Sequence, residues 1–353
     1  MRDWCSHFKG KRVLITGDTG FKGSWLAYWL QYLGADVYGY ALPPERGFDH
    51  FNLLGLRQTI THYDGDIRNF SEVQEFFQKS RPEFVFHLAA QPLVRKSYAV
   101  PKDTFDTNVG GTINILEATR HTPSVNVLVM ITSDKCYRNK EWLWGYREND
   151  ELGGKDPYSA SKAAAEMAIS AYRDSFFESR RDFGSASVRA GNVIGGGDWS
   201  ADRIVPDCIR ALENHEPIRL RNPDATRPWQ HVMEPLSGYL LLAHHLSLHP
   251  GRFGGSYNFG PENRQMHTVR DVAEELLSVW GSGHIEVTKN PDDPKEAGLL
   301  HLNCDKAHQA LGWYPKWDFK KTVRQTAQWY KAIRDGAKAE SVTKKQIVEY
   351  MEN

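Results

Sequence analysis

The sequence has no C-x-x-C pair, and its four cysteines are scattered at positions 5, 136, 208 and 304. That spacing argues against a structural zinc site and suits a reducing compartment, so no metal is expected. Charge of one sign is not in excess either. The 44 Lys and Arg balance the 44 Asp and Glu, and no global attraction draws the chain to nucleic acid or membrane. The opening Met-Arg-Asp-Trp-Cys-Ser-His lacks an apolar signal core, and no later run approaches a membrane span. Internal repeats and low-complexity tracts are missing as well. What remains is a 353-residue chain that can bury a full core in one large domain or two, expected to be soluble and cytoplasmic.

What is present begins with Val13-Leu14-Ile15-Thr16-Gly17-Asp18-Thr19-Gly20-Phe21-Lys22-Gly23-Ser24. A short apolar run ends in a tight turn, and a helical pattern follows to about Leu33. Gly17 permits the sharp turn, Gly20 lets the backbone approach a pyrophosphate, and Gly23 lets the helix pack close to the sheet. The N–H groups of that helix start would hold phosphate charge, which makes this a dinucleotide site. Strand-like runs recur at 12–16, 36–41, 59–63, 83–89 and 126–132, with helical patterns at 24–33, 71–80 and 103–120. This alternation predicts an α/β fold, a Rossmann-like parallel sheet with helices on both faces. His87, inside the apolar run 83–90, reads as a packed core histidine.

After about residue 190 the texture changes. Turn-rich joints lie at His249–Ser256 and Asn290–Gly298, and helical patterns at 203–213, 234–248, 268–280, 304–311 and 318–337. The expected division is a dinucleotide-binding domain over 1–190, with 228–260 returning to it through a strand at 256–259. Segments 191–227 and 261–353 are expected to form a smaller mixed α/β substrate lobe.

The second half of the sheet domain carries the chemistry. Ser133-Asp134-Lys135 sits at the end of a buried strand, the edge where open α/β sheets place ligands. Asp156-Pro157-Tyr158-Ser159-Ala160-Ser161-Lys162 opens a helix expected to reach about Arg180. Tyr158 and Lys162, four apart, share one helix face, where the ammonium is expected to lower the tyrosine pKa. Neighbouring strand residues face opposite ways. Asp134 and Lys135 therefore reach one ligand only if the chain leaves strand geometry by about Ser133.

On Thr16–Gly23, Leu88-Ala89-Ala90, Tyr158-x-x-x-Lys162 and Arg189-x-x-Asn192, the chain resembles the extended short-chain dehydrogenase/reductase family over essentially its whole length. Epimerase-like members carry small residues after the serine. Ser133-Asp134-Lys135, with the stretches 191–199 and 227–231, is similar to the sugar-nucleotide 4,6-dehydratases, which commonly carry Glu where Lys135 stands. The resemblance implies NAD and a nucleotide-sugar substrate. It makes Tyr158 the base for the sugar 4-hydroxyl with Ser133 and Lys162 beside it, Asp134 the acid at the 6-hydroxyl, and Lys135 the base at C5. Cofactor contacts are implied for Gly17, Gly20, Phe21, Lys22, Gly23, Tyr40, Asp66, Ile67, Leu88, Ala89, Ala90 and Asn108, besides Tyr158 and Lys162. The nucleotide-sugar falls to Asn192, Arg203, Arg227 and Asn258. Pairing through the helices at 103–120 and 157–180 into a homodimer or homotetramer is implied too.

Two departures stand out. The second strand ends Val37-Tyr38-Gly39-Tyr40-Ala41 without the acidic residue that holds the ribose 2′-hydroxyl, and Arg46 nearby raises NADP as an alternative. The turn Asp292-Asp293-Pro294-Lys295-Glu296 is acidic where relatives present basic residues. A sugar-nucleotide epimerase or simple dehydrogenase on this scaffold, and a non-catalytic dinucleotide sensor, are the competing readings.

Overall fold

The computed structural model describes residues 3–262, 267–288 and 299–352. The acidic turn at 292–296 lies outside them. Seven parallel strands form the main sheet: β1 (Arg12–Thr16), β2 (Asp36–Ala41), β3 (Thr61–Asp64), β4 (Phe84–His87), β5 (Val127–Ile131), β6 (Gly184–Arg189) and β7 (Gly255–Asn258). Their order is β7-β6-β5-β4-β1-β2-β3. The α/β expectation holds, and the strand at 256–259 does return to the sheet beside β6.

Alternation along β1 shows how the core is built. Val13 and Ile15 join Trp25, Leu26 and Trp29 of helix α1 (Phe21–Tyr32) on one face. Leu14 points to the other face. There it meets Val85 and Leu128, Val73 and Phe77 of α2 (Phe70–Ser80), and Ile115 and Leu116 of α3 (Thr112–Arg120). Full burial of each such side chain stabilises by about 1.5–3 kcal/mol, which is why strands covered on both faces read as nearly continuous apolar runs.

Several boundaries moved. The strand expected at 59–63 starts at Thr61, because Leu56–Thr59 closes one helical turn first. The helical stretch expected from 103 opens at Pro101 and passes through a π turn at Asp106–Gly111 before α3. Helix α4 (Pro157–Tyr172) ends in a π turn at Arg173–Phe177, short of Arg180. Strand β6 went unread because its buried positions are polar. Ser187 Oγ donates to Glu166 Oε2 at 2.8 Å, and Arg189 pairs with the same carboxylate at 2.7 Å.

Beyond β6 come α5 (Ile204–Glu213), α6 (Met233–Leu248), α7 (Val269–Trp280), α8 (Asp305–Leu311), α9 (Phe319–Arg334) and α10 (Ala339–Glu352). Helix α6 packs on β5 and β6, and α7 packs on α9. Helix α10, absent from the sequence reading, reaches back to the N-terminal half. Tyr350 meets Trp29 edge-on, and Thr343 Oγ1 lies 3.1 Å from His50 Nε2. Among the described residues no helix is long and apolar enough to cross a membrane.

Candidate active site

Strand order reverses between β1 and β4, and the loops leaving their C-terminal ends frame a crevice. Gly17 adopts φ +78°, and a Cβ there would stand 2.7 Å from the Ala89 nitrogen. A Cβ on Gly23 would fall 2.0 Å from the Gly17 carbonyl oxygen. The two loops and the start of α1 therefore meet at distances only glycine permits. Gly20 caps α1 with no side-chain hydrogen bond, so the first-turn N–H groups at Phe21, Lys22 and Gly23 remain available to an anion. This cradle fits a dinucleotide pyrophosphate.

The candidate catalytic edge lies across the crevice at the end of β5. The chain leaves the strand at Ser133, which is extended (φ −164°, ψ 156°), and Asp134–Cys136 form a 3-10 turn. This is the departure from strand geometry that the paired reach of Asp134 and Lys135 requires. Ser133 Oγ accepts the Lys135 N–H at 3.2 Å and donates to Asp134 Oδ1 at 2.9 Å. Asp134 is 1% exposed, and its Oδ2 makes no hydrogen bond. That oxygen rests on Gly191, where a Cβ would stand 2.0 Å away.

Tyr158 lies on the first turn of α4, which Pro157 starts and Asp156 caps by accepting the Ser159 N–H at 2.9 Å. Burial pushes its phenol up to about 12, a hydrogen bond with Ser133 and the charge of Arg203 pull it down, and Asp134 adds to the rise. Lys162 is itself lowered to about 8 by burial, with Glu166 one turn on opposing the shift. Lys22 is lowered to about 8 by burial and by Arg203, against Asp134 and Asp198. Lys22, Arg203, Asp134 and Tyr158 thus share one electrostatic neighbourhood. Arg203 is held there by Asp198 at 2.8 Å.

Other expected contacts sit elsewhere. Asn258 is fully buried and satisfied: its N–H reaches Glu148 at 2.9 Å, Oδ1 accepts from Tyr137 at 2.8 Å, and Nδ2 donates to the Tyr146 and Asn303 carbonyls. It ties loops together and offers no atom to a nucleotide-sugar. Tyr40 is equally enclosed, stacked on Tyr63 at 5.8 Å with its hydroxyl on the Asp66 carbonyl, so it presents no face to an adenosine. Asn108 accepts the Gln91 N–H at 2.8 Å and donates to Ser161 Oγ at 2.9 Å, bracing α4 against the loop after β4 instead of facing the crevice. The Asp66 carboxylate accepts from the Arg68 guanidinium and main chain, and the Ile67 side chain packs against Gly111. Leu88, Ala89 and Ala90 remain on the loop facing the glycine turn, half-buried. Asn192 takes φ +48° with its Oδ1 buried and unpartnered, beside Gly191. Arg227 sits on a two-residue strand paired with His267–Thr268. His87 is a core residue, between Thr16 Oγ1 at 2.7 Å and Thr112 Oγ1 at 3.2 Å.

Sequence reasoning missed the buried Glu166–Arg189 pair beneath Lys162, joined by Thr132 and Ser187. The signal was available, because Glu166 follows Tyr158 and Lys162 at helical spacing on one face. Among the described residues no group of His, Cys, Asp and Glu forms a metal site.

Residues 14–326 match a family model described as GDP-mannose 4,6 dehydratase. The chain is 45% identical over 348 residues to a CDP-glucose 4,6-dehydratase of Salmonella typhimurium, covering 98% of this chain and 97% of that one. A UDP-glucose 4-epimerase of Thermus thermophilus, solved in complex with NAD, is 27% identical with a TM-score of 0.75 over 90% of this chain and 98% of that one. A dTDP-glucose 4,6-dehydratase of Bacillus anthracis, solved with NAD, shares the fold at 23% identity, with a TM-score of 0.75 over 92% and 97% of the two chains.

Proposed function

The chain belongs to the family of that matching model, and we propose that it is an NAD-dependent nucleotide-sugar 4,6-dehydratase whose substrate is CDP-glucose. The observation that carries this reading is the Asp134–Lys135 turn. Interconverting an alcohol and a ketone needs only Tyr158, Ser133 and Lys162. Elimination of water needs an acid and a base in addition, and the turn that ends β5 carries a candidate for each, with Asp134 in electrostatic reach of the phenol and Lys135 next in the chain. NAD, when bound, supplies the hydride acceptor at the sugar C4 and the donor that returns hydride to C6.

Every other part belongs to the chain. Tyr158, as phenolate, takes the proton of the sugar 4-hydroxyl, and Ser133 hydrogen-bonds the same oxygen. The charge of Arg203 and the hydrogen bond with Ser133 work to bring the phenol down from about 12. The resulting 4-ketone acidifies the C5 hydrogen, which Lys135 removes as a proton, leaving a 5,6-double bond once water departs, and returns to C5 when hydride reaches C6. Asp134, with Oδ2 unspent, gives its proton to the departing 6-hydroxyl. The product is a 4-keto-6-deoxy sugar nucleotide, from which deoxyhexoses of surface polysaccharide are made, in the cytoplasm. Arg203, Asn192 and Arg227 hold the nucleotide-sugar. Exposed Tyr98, Phe105 and Met167 lie on the helical stretches 94–105 and 157–172, and they support a homodimer or homotetramer built through these surfaces.

The test is a panel of CDP-, dTDP-, UDP- and GDP-glucose with mass detection. Loss of water from CDP-glucose, with deuterium at C4 recovered at C6, is expected. A dTDP- or GDP-sugar turned over instead would reassign the base. Steady growth of NADH absorbance would make the enzyme a net dehydrogenase.

A further inference from the structure

The end of β2 is the unexplained place in the dinucleotide site. An acidic side chain there would read the ribose 2′-hydroxyl and repel a 2′-phosphate, yet the strand offers Gly39, Tyr40 and Ala41. Another carboxylate occupies the same ground. Asp18, from the turn after β1, is wholly buried and lies over Gly39, where a Cβ would stand 2.0 Å from its Oδ2. His62, paired with Gly39 in the β2–β3 register, donates from Nδ1 to that Oδ2 at 2.7 Å. The other ring nitrogen meets Asp64 Oδ1 at 2.9 Å, and Arg57 clamps Asp64 through two bonds of 2.9 and 2.8 Å. A row of hydrogen-bonded ionisable side chains therefore runs from Arg57 at the surface to Asp18 beneath the glycine turn. It ends on Asp18 Oδ1, which is buried and accepts no hydrogen bond from a neighbouring residue.

We propose that Asp18 is the carboxylate that makes this enzyme choose NAD over its 2′-phosphorylated counterpart, replacing the acid that the second strand does not carry. The inference rests on the dinucleotide reading above and specifies which dinucleotide and by which group. Two further features agree with it. Burial raises the Asp18 carboxyl against the pull of His62 and opposes a charge on His62 as well, but at His62 the hydrogen bonds and charges of Asp18 and Asp64 outweigh burial and hold the ring above its ordinary value, so the imidazole is a strengthened donor to the carboxylate. Arg46, the side chain that could have met a 2′-phosphate, is turned to the Trp199 carbonyl at 3.4 Å and lies 3.9 Å from Asp49. Asp18 is a positioning and specificity residue, and no proton transfer in the reaction passes through it.

The experiment is equilibrium titration of NAD+ and NADP+ into the full chain, without sugar substrate, for the wild type, Asp18→Asn and His62→Gln. The wild type binds NAD+ the more tightly. Asp18→Asn keeps the shape and removes the charge, so NAD+ weakens about tenfold, the cost of one charged contact, while NADP+ tightens. His62→Gln retains the carboxylate but loses its anchor, so the preference for NAD+ falls by less than in Asp18→Asn. An unchanged NAD+/NADP+ ratio in Asp18→Asn overturns the inference and spares the cofactor reading, as does a loss of the preference that is larger in His62→Gln than in Asp18→Asn. A wild type that binds neither nucleotide overturns both. Should Asp18→Asn fail to fold, Asp18→Ser is titrated with the same expectation.

Discussion

The two ends of the crevice use the same device for different purposes. At the catalytic end, Asp134 rests on Gly191 with Oδ2 unpartnered. At the opposite end, Asp18 rests on Gly39 with Oδ1 unpartnered. In both, a glycine makes room for a buried carboxylate that keeps one oxygen unspent. Their surroundings separate them. Asp134 stands beside a phenol, a serine hydroxyl and the ammonium of Lys22, groups able to pass a proton or steady one in transit. Asp18 is fixed by an imidazole that a second carboxylate and an arginine hold in turn, which suits a standing charge. A buried carboxylate with spare lone pairs does not identify its role. The mobility of the protons around it does.

The harshest way to break the comparison is to remove the phenol. Tyr158→Phe is expected to cut kcat on the order of a thousandfold, the middle of the range for losing a general base, while NAD+ titration shows affinity within a few-fold of wild type. A small loss of kcat would move the proton transfer off Tyr158 and leave Asp134 without a partner in the chemistry.

A matched pair of substitutions sharpens it further. Gly191→Ala and Gly39→Ala each drive a methyl group to within 2.0 Å of a carboxylate oxygen, a contact that real Cβ atoms do not tolerate. The first should lower kcat about tenfold or more with NAD+ affinity near wild type. The second should raise the NAD+ dissociation constant by about tenfold, with kcat recovering at saturating cofactor. Melting of each variant without ligand controls for general damage. Identical kinetic signatures from the two would merge the ends into one site.

The proposed catalytic end could be read from the sequence and the other could not, for a physical reason. Ser133-Asp134-Lys135 and Tyr158-x-x-x-Lys162 are local patterns, each written within five residues, and the strand before and helix after place them. The Asp18 row joins residues 18, 39, 57, 62 and 64, brought together only by the β1–β2–β3 register, so no spacing along the chain announces it. Asn258 and Tyr40 misled for the complementary reason. Each falls beside a binding loop in the chain order, while its side chain turns inward to satisfy loops or fill the core. The helical elements from α5 to α9 followed their periodic apolar positions closely. Helix α10 did not, because its packing on Trp29, His50 and Trp329 is long-range and its own surface is mostly charged.

Protonation offers a subtler separation of the two ends. Lys162 is almost completely buried, and its value falls from 10.5 to about 8 on folding. The folded state therefore binds this proton less tightly than the unfolded chain, and stability rises with pH between the two values. The full effect is on the order of 3 kcal/mol. Lys162→Met should accordingly be favoured relative to wild type at pH 7, and that relative gain should fade as the pH is raised from 8 towards 10. Denaturant melts of the ligand-free proteins at each pH measure the gap. A gap that stays constant would mean that Lys162 binds its proton equally tightly in the folded and unfolded chains, so that burial does not lower its value.

The smallest expected effect is also a sharp one for the adenosine end. Arg46 is the residue whose position beyond β2 suggested a 2′-phosphate, and if it served that purpose its loss would weaken NADP+ and leave NAD+ alone. Its guanidinium is instead directed to the Trp199 carbonyl, with Asp49 and Glu45 close by, all within an exposed segment where ion pairs are worth about 0–1 kcal/mol. Arg46→Ala is therefore expected to change the affinity for either nucleotide by less than about threefold, measured by the same titrations as Asp18→Asn. A selective loss of NADP+ binding would assign phosphate recognition to Arg46. Nucleotide choice would then be a contest between Arg46 and the buried carboxylate, in place of a decision made by Asp18 alone.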